Sequence, residues 1–277
     1  MHYIKTFIVA LLLALLGGCA FWGSGHRAQQ NGSVVDYLYP NAKQAPMLQA
    51  GVTQLRPPVR VGIAFVPGAG WGGALSEQQK TQLLERVKAS FAKHAYIGSI
   101  EIIPSAYMQA RGGFDNLDQV ARMFNVEVVT LLSYDQVQFN DTNVLSMLYW
   151  TIVGAYVIQG NQYDIQTMLD ASVFDVKSRK LLFRAPGTSR VAGNATMAGL
   201  SAKSRAAQSD GYNQAVDQLI PHLQTELDNF RERLKNDSSI QIRNKEGYQG
   251  GGAADWGWLA LAGLLAALVY GKRRRAG

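Results

Sequence analysis

The sequence predicts an α/β fold in which a mixed sheet carries helices packed mainly on one side. Val59–Val66 alternates and is rich in β-branched residues, which is typical of a core strand. Asp115–Asn125 has apolar residues at helical spacing and leads directly into an apolar strand, Val126–Tyr134. Thr167–Val176 and Lys180–Arg184 have the pattern of a hairpin. Alternating helices and strands of this kind favour one mixed sheet.

Other elements follow from local signals. Ser76–Lys93 is predicted as a helix because its first residue and the glutamine three positions later form a capping box. Ile100–Ile103 is predicted as a short strand. Two helices are expected near the end, Ala202–Leu219 and Pro221–Lys235, since proline is tolerated in a first helical turn. The second helix has an apolar stripe formed by Leu223, Leu227, Phe230 and Leu234.

Composition excludes one class of partner. The formal net charge is +7. Lys5 contributes one of these charges and the basic C-terminal tail a net three, which leaves +3 for the remainder. This charge is too small to indicate nucleic-acid binding, and no nucleic-acid motif accompanies it.

The N-terminus has the pattern of an export signal. A lysine precedes an apolar run, Phe7–Leu16, and small residues follow it. The run ends in Leu16, Gly17, Gly18 and Cys19, which resembles the bacterial lipobox. The resemblance implies recognition by signal peptidase II and acylation of Cys19, which would hold the protein on membrane lipid. Cys19 is the single cysteine, so the alternative is a free or buried thiol. Alanine at position 20, where an inner-membrane retention signal has aspartate, favours the outer membrane.

The C-terminus has a second sorting pattern. Gly250, Gly251 and Gly252 precede the apolar run Trp256–Tyr270, and four basic residues follow at 272–275. A helix over these residues would be about 30 Å long, just enough to span a bilayer. The basic cluster would stay in the cytoplasm. The order resembles the GlyGly-CTERM tail that rhombosortases, which are rhomboid-type proteases, cut. The alternative is a permanent anchor.

These signals divide the chain into five segments: a signal peptide (1–18), a lipidated tether (19–58), the α/β domain (59–235), a polar and glycine linker (236–252) and a sorting helix with a basic tail (253–277). Within the tether, Phe21–Asn31 is polar, whereas Val34–Pro40 is apolar enough to dock on the domain. Asn236–Gln249 is predicted as a plain linker.

Two resemblances follow from these stretches. Val59–Val66, Leu117–Leu132 and Ala171–Phe183 resemble the anticodon-binding-domain-like sandwich of outer-membrane lipoproteins, including the curli secretion channel subunit. Val35–Pro40, Tyr149–Tyr156, Leu181–Gly187, the lipobox and the GlyGly tail together resemble the rhombotarget lipoprotein family. The family implies a route, with lipid at one end and rhomboid-type cleavage at the other, and no known activity.

Three other functions would each need a recognisable motif: dinucleotide binding, hydrolysis and metal binding. The stretch from Gly68 to Gly73 fits the glycine spacing of a dinucleotide loop, but Trp71 stands where a pyrophosphate would approach, and no clear acid caps the next predicted strand except Glu101 near its start. A hydrolase would need one of the histidines that remain after processing, His26, His94 and His222, and none of them lies near a nucleophile motif. No residues have metal-ligand spacing. The sequence therefore predicts no catalytic residue, no cofactor and no metal site.

The uncharged segment Val144–Ile158 is ambiguous. It is short for a membrane-spanning helix and long for a strand. It fits a buried strand or hairpin, or an apolar surface for self-association, an envelope partner or membrane insertion. The expected function is thus a non-enzymatic envelope lipoprotein, and the alternative is a subunit of an oligomeric envelope or secretion complex. A nucleotide-binding enzyme is the third possibility.

Overall fold

A computed structural model describes residues 26–40, 52–68, 75–142 and 161–248. The strands are β1 (His26–Gly32), β2 (Thr53–Leu55), β3 (Val59–Phe65), β4 (Ile97–Ile102), β5 (Val128–Thr142), β6 (Asn161–Asp175), β7 (Leu181–Ala195) and β8 (Ile240–Ile242). The helices are α1 (Val34–Leu38), α2 (Glu77–Phe91), α3 (Gly113–Met123) and α4 (Leu200–Leu234), with a short 3₁₀ turn at Ser105–Tyr107.

The main sheet is mixed, as predicted. Its order is β4-β3-β5-β6-β7, with β3 parallel to β4 and β5, and with β6 and β7 antiparallel. β5 is the central strand. On one edge it pairs with β3 over Val128–Leu132 and then with β1 over Tyr134–Asn140, so β1 continues the line of β3. A second, small sheet pairs β2 with β8 in parallel.

Helices cover both faces of the sheet. α2 and α4 pack on one face against residues such as Ile63, Phe65 and Leu132. α1 and α3 pack on the other face against residues such as Ala64 and Leu131. Because neighbouring strand residues point to opposite faces, the apolar run of β3 serves two cores. The expectation of helices mainly on one side is therefore wrong. Within the described residues, no helix has the length and apolar character needed to cross a membrane.

Local signals placed several elements correctly. α2 begins after Ser76, whose side chain accepts from Gln79 N while the Gln79 side chain accepts from Ser76 N, which is the predicted capping box. β3 lies where it was expected, whereas β4 begins at Ile97, three residues before the predicted Ile100. Val34–Pro40 docks on the domain as predicted, since Tyr37 and Leu38 of α1 are buried.

Two polar segments are not the plain connections that were expected. Phe21–Asn31 was predicted as a tether, but His26–Gly32 form β1 and pair with β5 over seven positions. The side chain of Gln29 also donates to Asp135 at 3.0 Å. Asn236–Gln249 was predicted as a linker, but it contains β8, and Ile240 is buried against the core. In both places a polar segment becomes a strand because its backbone pairs with a neighbouring strand.

The helix predicted to begin at Pro221 is instead the second half of α4, which runs unbroken from Leu200 to Leu234. Proline inside a helix costs about 3 kcal/mol because a backbone hydrogen bond is lost. Leu219 and Leu223 on either side of it are almost fully buried. Burial of such a side chain stabilises by about 1.5–3 kcal/mol. Packing on the sheet therefore offsets the proline and keeps the helix continuous.

Candidate functional site

A cavity of about 340 Å³ lies between α2 and α4, with the main sheet as its floor. We refer to it as the interhelical cavity. Its walls are almost entirely apolar. They are formed chiefly by Val61, Ile63, Val87, Phe91, Ile97, Ile100, Val128, Leu223, Leu227, Phe230 and Leu234.

Helical periodicity places the lining residues of α4 on one side of that helix. Leu223, Leu227, Phe230 and Leu234 repeat at spacings of three and four and so form one stripe of α4. Farther toward the N-terminus of α4, the two helices are joined by Arg86 of α2, whose Nη1 donates to Asn213 Oδ1 at 3.1 Å and which pairs with Asp217. The part of α4 that lines the cavity begins at Leu223, six residues beyond Asp217.

The C-terminal extension, residues 236–248, contributes to one wall of the cavity. Leu55 of β2, Ile242 of β8 and Tyr248 all line it. The extension is fixed by backbone hydrogen bonds from Arg243 N to Leu55 O and from Lys245 N to Pro57 O, each 2.9 Å long. Residues that precede the domain and residues that follow α4 thus build one wall together.

Polar groups are concentrated at the mouth. The ring of Tyr96 stacks on His94 at 5.1 Å between ring centroids, and the guanidinium of Arg231 lies 5.2 Å from the centre of the Tyr96 ring. Lys88 also lines the mouth and forms no ion pair with any described residue. Burial raises the pKa of Tyr96, although Arg231 acts in the opposite direction. This edge is therefore cationic next to an apolar interior.

Two polar atoms at this mouth have no partner among the described residues. They are the hydroxyl oxygen of Tyr96 and Nε2 of His94, and both are buried from solvent. A buried polar atom without a hydrogen bond costs about 1–3 kcal/mol. Such groups are rare in folded proteins, and a bound ligand is one explanation for them.

An empty apolar cavity of this size would be costly. At about 24 cal/mol per Å³, a volume of 340 Å³ corresponds to at most about 8 kcal/mol. The free energy of unfolding of a whole domain is only about 5–15 kcal/mol. The cavity opens to solvent at its mouth, so the full cost is an upper limit. Its size still indicates that an apolar occupant would stabilise the fold substantially.

A second hollow of about 530 Å³ lies on the opposite side of the sheet, beside α3 and β2. Some of its charged groups are paired. Arg179 binds Asp118 at 2.9 Å, and Glu127 binds Arg60 at 3.2 Å and Lys245 at 3.1 Å. Arg56, Arg122 and Lys177 also line the hollow and form no ion pair with a described residue.

The predicted sorting residues lie outside the described residues. They are Leu16, Gly17, Gly18 and Cys19 at one end and Gly250, Gly251 and Gly252 at the other. The apolar run Trp256–Tyr270 and the segment Val144–Ile158 also lie outside them. Acylation, cleavage and a C-terminal membrane helix therefore stay predictions. The domain boundaries stay predictions as well.

The glycine loop has a packing role at its first residue. A Cβ on Gly68 would collide with the hydroxyl of Tyr134 and would lie 3.0 Å from Asn31 O. Glycine is thus required where β1, β5 and the end of β3 meet. Residues 69–74 lie outside the described residues. Gly68 follows the C-terminal end of β3, whereas the interhelical cavity lies toward its N-terminal end, so the two are separate features.

The three histidines are not brought together. His26 begins β1, His94 stacks on Tyr96, and Nδ1 of His222 lies 2.7 Å from Pro186 O on an exposed flank of α4. Across the described ranges, no group of three histidine, cysteine or carboxylate side chains has the geometry of a metal site.

Comparisons with known proteins were made on sequence and on structure. Neither a scan of protein families nor a search of curated proteins finds a match. Similar solved structures include a dodecameric variant of PelC from Paraburkholderia phytofirmans, with a TM-score of 0.29 and 14% identity over 71% of this chain and 96% of that chain. A putative neuraminyllactose-binding hemagglutinin homolog from Helicobacter pylori has a TM-score of 0.39 and 8% identity over 70% and 97%. An uncharacterized lipoprotein B from Nitrosomonas europaea has a TM-score of 0.29 and 13% identity over 69% and 97%. All three TM-scores are below 0.5, so these likenesses support no functional assignment.

The sequence predicted the apolar stripe of α4, which lines the cavity, but not the cavity itself. Tyr96 and the extension residues Ile242 and Tyr248 were missed. The alternation Ile240-Gln241-Ile242 inside a polar segment is the signal that could have revealed β8.

Proposed function

We propose that this chain is a non-enzymatic cell-envelope lipoprotein, held on lipid by acylated Cys19 and freed from a second anchor by rhomboid-type cleavage at Gly250–Gly252. Signal peptidase II would cut before Cys19. A rhombosortase-type protease would cut at Gly250–Gly252 and so remove the apolar run and the basic tail that follow. The lipoprotein would then reach the outer membrane or the cell surface. Its role there is binding or structural.

The observation that carries this proposal is the close flanking of the folded region by the two sorting patterns. Strand β1 begins at His26, seven residues after Cys19, and Tyr248, which lines the interhelical cavity, lies two residues before Gly250. Seven extended residues span about 24 Å at most. A domain on such a short spacer would stay close to the lipid surface that holds Cys19.

A spanning helix makes the cut necessary for transport. A protein with a transmembrane helix is in effect irreversibly inserted, whereas acyl chains alone permit transfer. Two permanent anchors on one small domain would be redundant. The lipoprotein can leave the inner membrane only if one of them is removed.

Intact mass of the mature protein tests the route. We expect a diacylated or triacylated Cys19 at the N-terminus and a C-terminus between Gly250 and Ala254. Cys19→Ala should abolish acylation without unfolding the domain. Replacement of the three glycines by leucine should preserve the tail, whereas Gly98→Ala, in β4, should be processed normally. Persistence of Trp256–Arg275 in a host with an active rhombosortase would contradict the sorting proposal.

A second function, assembly into an oligomeric envelope complex, is favoured by one observation. Thr142 and Asn161 are direct cross-strand partners at the end of the β5–β6 pair. The two ends of the segment that contains Val144–Ile158 therefore meet at one point beyond the sheet. An uncharged segment presented there is suited to self-association or to a partner. Native mass measurement of the mature protein distinguishes the cases, since a monomer at all concentrations would count against assembly.

A further inference from the structure

The shape of the interhelical cavity limits what it can hold. Along α4 its lining extends from Leu223 to Leu234, which is about 16 Å at 1.5 Å per residue. An apolar lining of this length, contributed by both helices and by the sheet, matches an extended hydrocarbon chain.

The walls exclude a peptide as the occupant. A peptide backbone brings N–H and C=O groups that need hydrogen-bond partners when buried. The lining offers few, since Thr130 is the one polar side chain that the main-sheet strands contribute to it.

The mouth favours a negatively charged head group. Lys88 and Arg231 supply positive charge, with Asp228 as the one carboxylate that pairs with Arg231, at 3.4 Å. The unpartnered hydroxyl of Tyr96 needs an acceptor. A carboxylate or phosphate oxygen at this point would accept from Tyr96 and lie next to both cations.

We propose that the interhelical cavity binds a single aliphatic chain of an anionic amphiphile, with the chain between α2 and α4 and the head group at Tyr96, Lys88 and Arg231. The chain lies along the roughly 16 Å of α4 that line the cavity, next to the C-terminal extension. The inference does not rest on acylation of Cys19 or on C-terminal cleavage.

Photoreactive amphiphiles test this proposal on the full chain in phosphatidylcholine vesicles. Diazirine-bearing fatty acids of eight to eighteen carbons should label peptides that contain Val87–Phe91 and Leu223–Leu234. At equal free aqueous concentration of the amphiphile, each added methylene should raise the labelling affinity roughly fourfold while the chain still fits, from about 0.8 kcal/mol per buried methylene. The increase should stop near twelve carbons. A lysophosphatidic acid series, compared at equal chain length, distinguishes a phosphate from a carboxylate head, and a fatty alcohol should bind at least tenfold more weakly than either.

Matched variants distinguish labelling in the cavity from labelling elsewhere on the surface. Leu227→Trp fills the channel and should reduce labelling at least tenfold, whereas Leu181→Trp, on an exposed position of β7 outside the lining, should leave it unchanged. Leu234→Trp serves as the second cavity variant in case the first does not fold. Tyr96→Phe and Lys88→Met should keep the chain-length dependence and lower the preference for acid over alcohol.

Several outcomes would overturn the proposal. Equal labelling of the Leu227→Trp and Leu181→Trp proteins would show that the cavity is not the site. Labels on other peptides, or affinity that rises steadily to eighteen carbons, would indicate nonspecific partition into lipid. Absence of labelling in the full chain, including the case in which residues 253–277 occupy the cavity themselves, would also contradict it.

Discussion

Replacement of Gly187 by alanine tests the close packing of α4 on β7. A Cβ at this position would lie 2.8 Å from both the backbone nitrogen and the Cβ of Leu219, and closer still to Ala215 O. These are mostly backbone atoms of a long helix, so the strain cannot be relieved by rotation of a side chain. Overpacking of this kind costs about 1–3 kcal/mol. At about 2–4 °C per kcal/mol for a domain of this size, the Tm should fall by roughly 2–12 °C.

Thermal unfolding followed by circular dichroism measures this effect, with Gly98→Ala as the control. An added Cβ at Gly98 would lie 3.3 Å from the Cβ of Pro58, which is a tight but tolerable contact, and the residue is exposed. We expect a change within about 0.5 kcal/mol there. If both variants melt at the same temperature as the parent, α4 does not lie on β7 as closely as described. An equal loss in both would refute the argument from distance.

Two other predictions concern buried groups and the C-terminal extension. Burial raises the pKa of Tyr37, so the folded protein retains a proton that the unfolded chain releases above about pH 10. The free energy of unfolding should fall by about 1.4 kcal/mol per pH unit for this group above that pH, with full stability below it, and Tyr37→Phe should flatten the slope in urea titrations from pH 9 to 11. An unchanged slope would contradict this. Lys245→Met removes the contacts of Lys245 Nζ with Pro58 O (2.9 Å) and Glu127 (3.1 Å), so amide hydrogen exchange over 240–248 should become faster while that of β5 stays the same. Lys235→Met, which removes an exposed ion pair with Glu232, is the control. Faster exchange over 240–248 in this variant would count against a specific role of Lys245.

Short-range signals explain what the sequence predicted well. The capping box of α2 needs only Ser76 and Gln79, and the alternation of β3 needs only its own residues. Both patterns survive folding because no distant contact opposes them. β5 and β6 were predicted too short because their outer halves, such as Asp135–Thr142, are polar. Those halves carry buried hydrogen bonds, including Gln136 Nε2 to Thr167 Oγ1 at 2.8 Å, and these depend on a partner strand 31 positions away.

The candidate site depends on distances that no local pattern encodes. The stripe of Leu223, Leu227 and Phe230 is equally consistent with a filled core and with a cavity wall. Whether the stripe faces a filled core or a cavity depends on two long-range contacts. These are the contact of Arg86 with α4 and the pairing of β8 with β2. Likewise, β1 is polar along its length and becomes a strand only because β5 leaves an edge free beyond β3.

The positions of the two ends of the folded region have a consequence for the proposed route. His26 pairs with Asn140, whereas the extension that ends at Tyr248 is bound near Val128, at the other end of β5. Twelve residues along a strand separate these points by about 40 Å. The spacer from Tyr248 to Trp256 covers at most about 27 Å. With both anchors in one membrane, the domain cannot stand upright on its acylated end and must lie along the surface.

Cleavage at Gly250–Gly252 should therefore allow the domain to rise from the membrane. Lys93→Cys places a thiol on an exposed residue close to the cavity mouth, and it is the one free thiol when Cys19 is acylated. A fluorophore at this position should be quenched by lipid-borne quenchers before the cut and several-fold less after it. A label on Arg27→Cys, in β1 and close to the acylated end, should remain near the lipid in both states. A spanning tail on so short a spacer should hold the cavity end of the domain near the membrane. Equal quenching at position 93 before and after the cut would therefore contradict the idea that the second anchor restrains the domain.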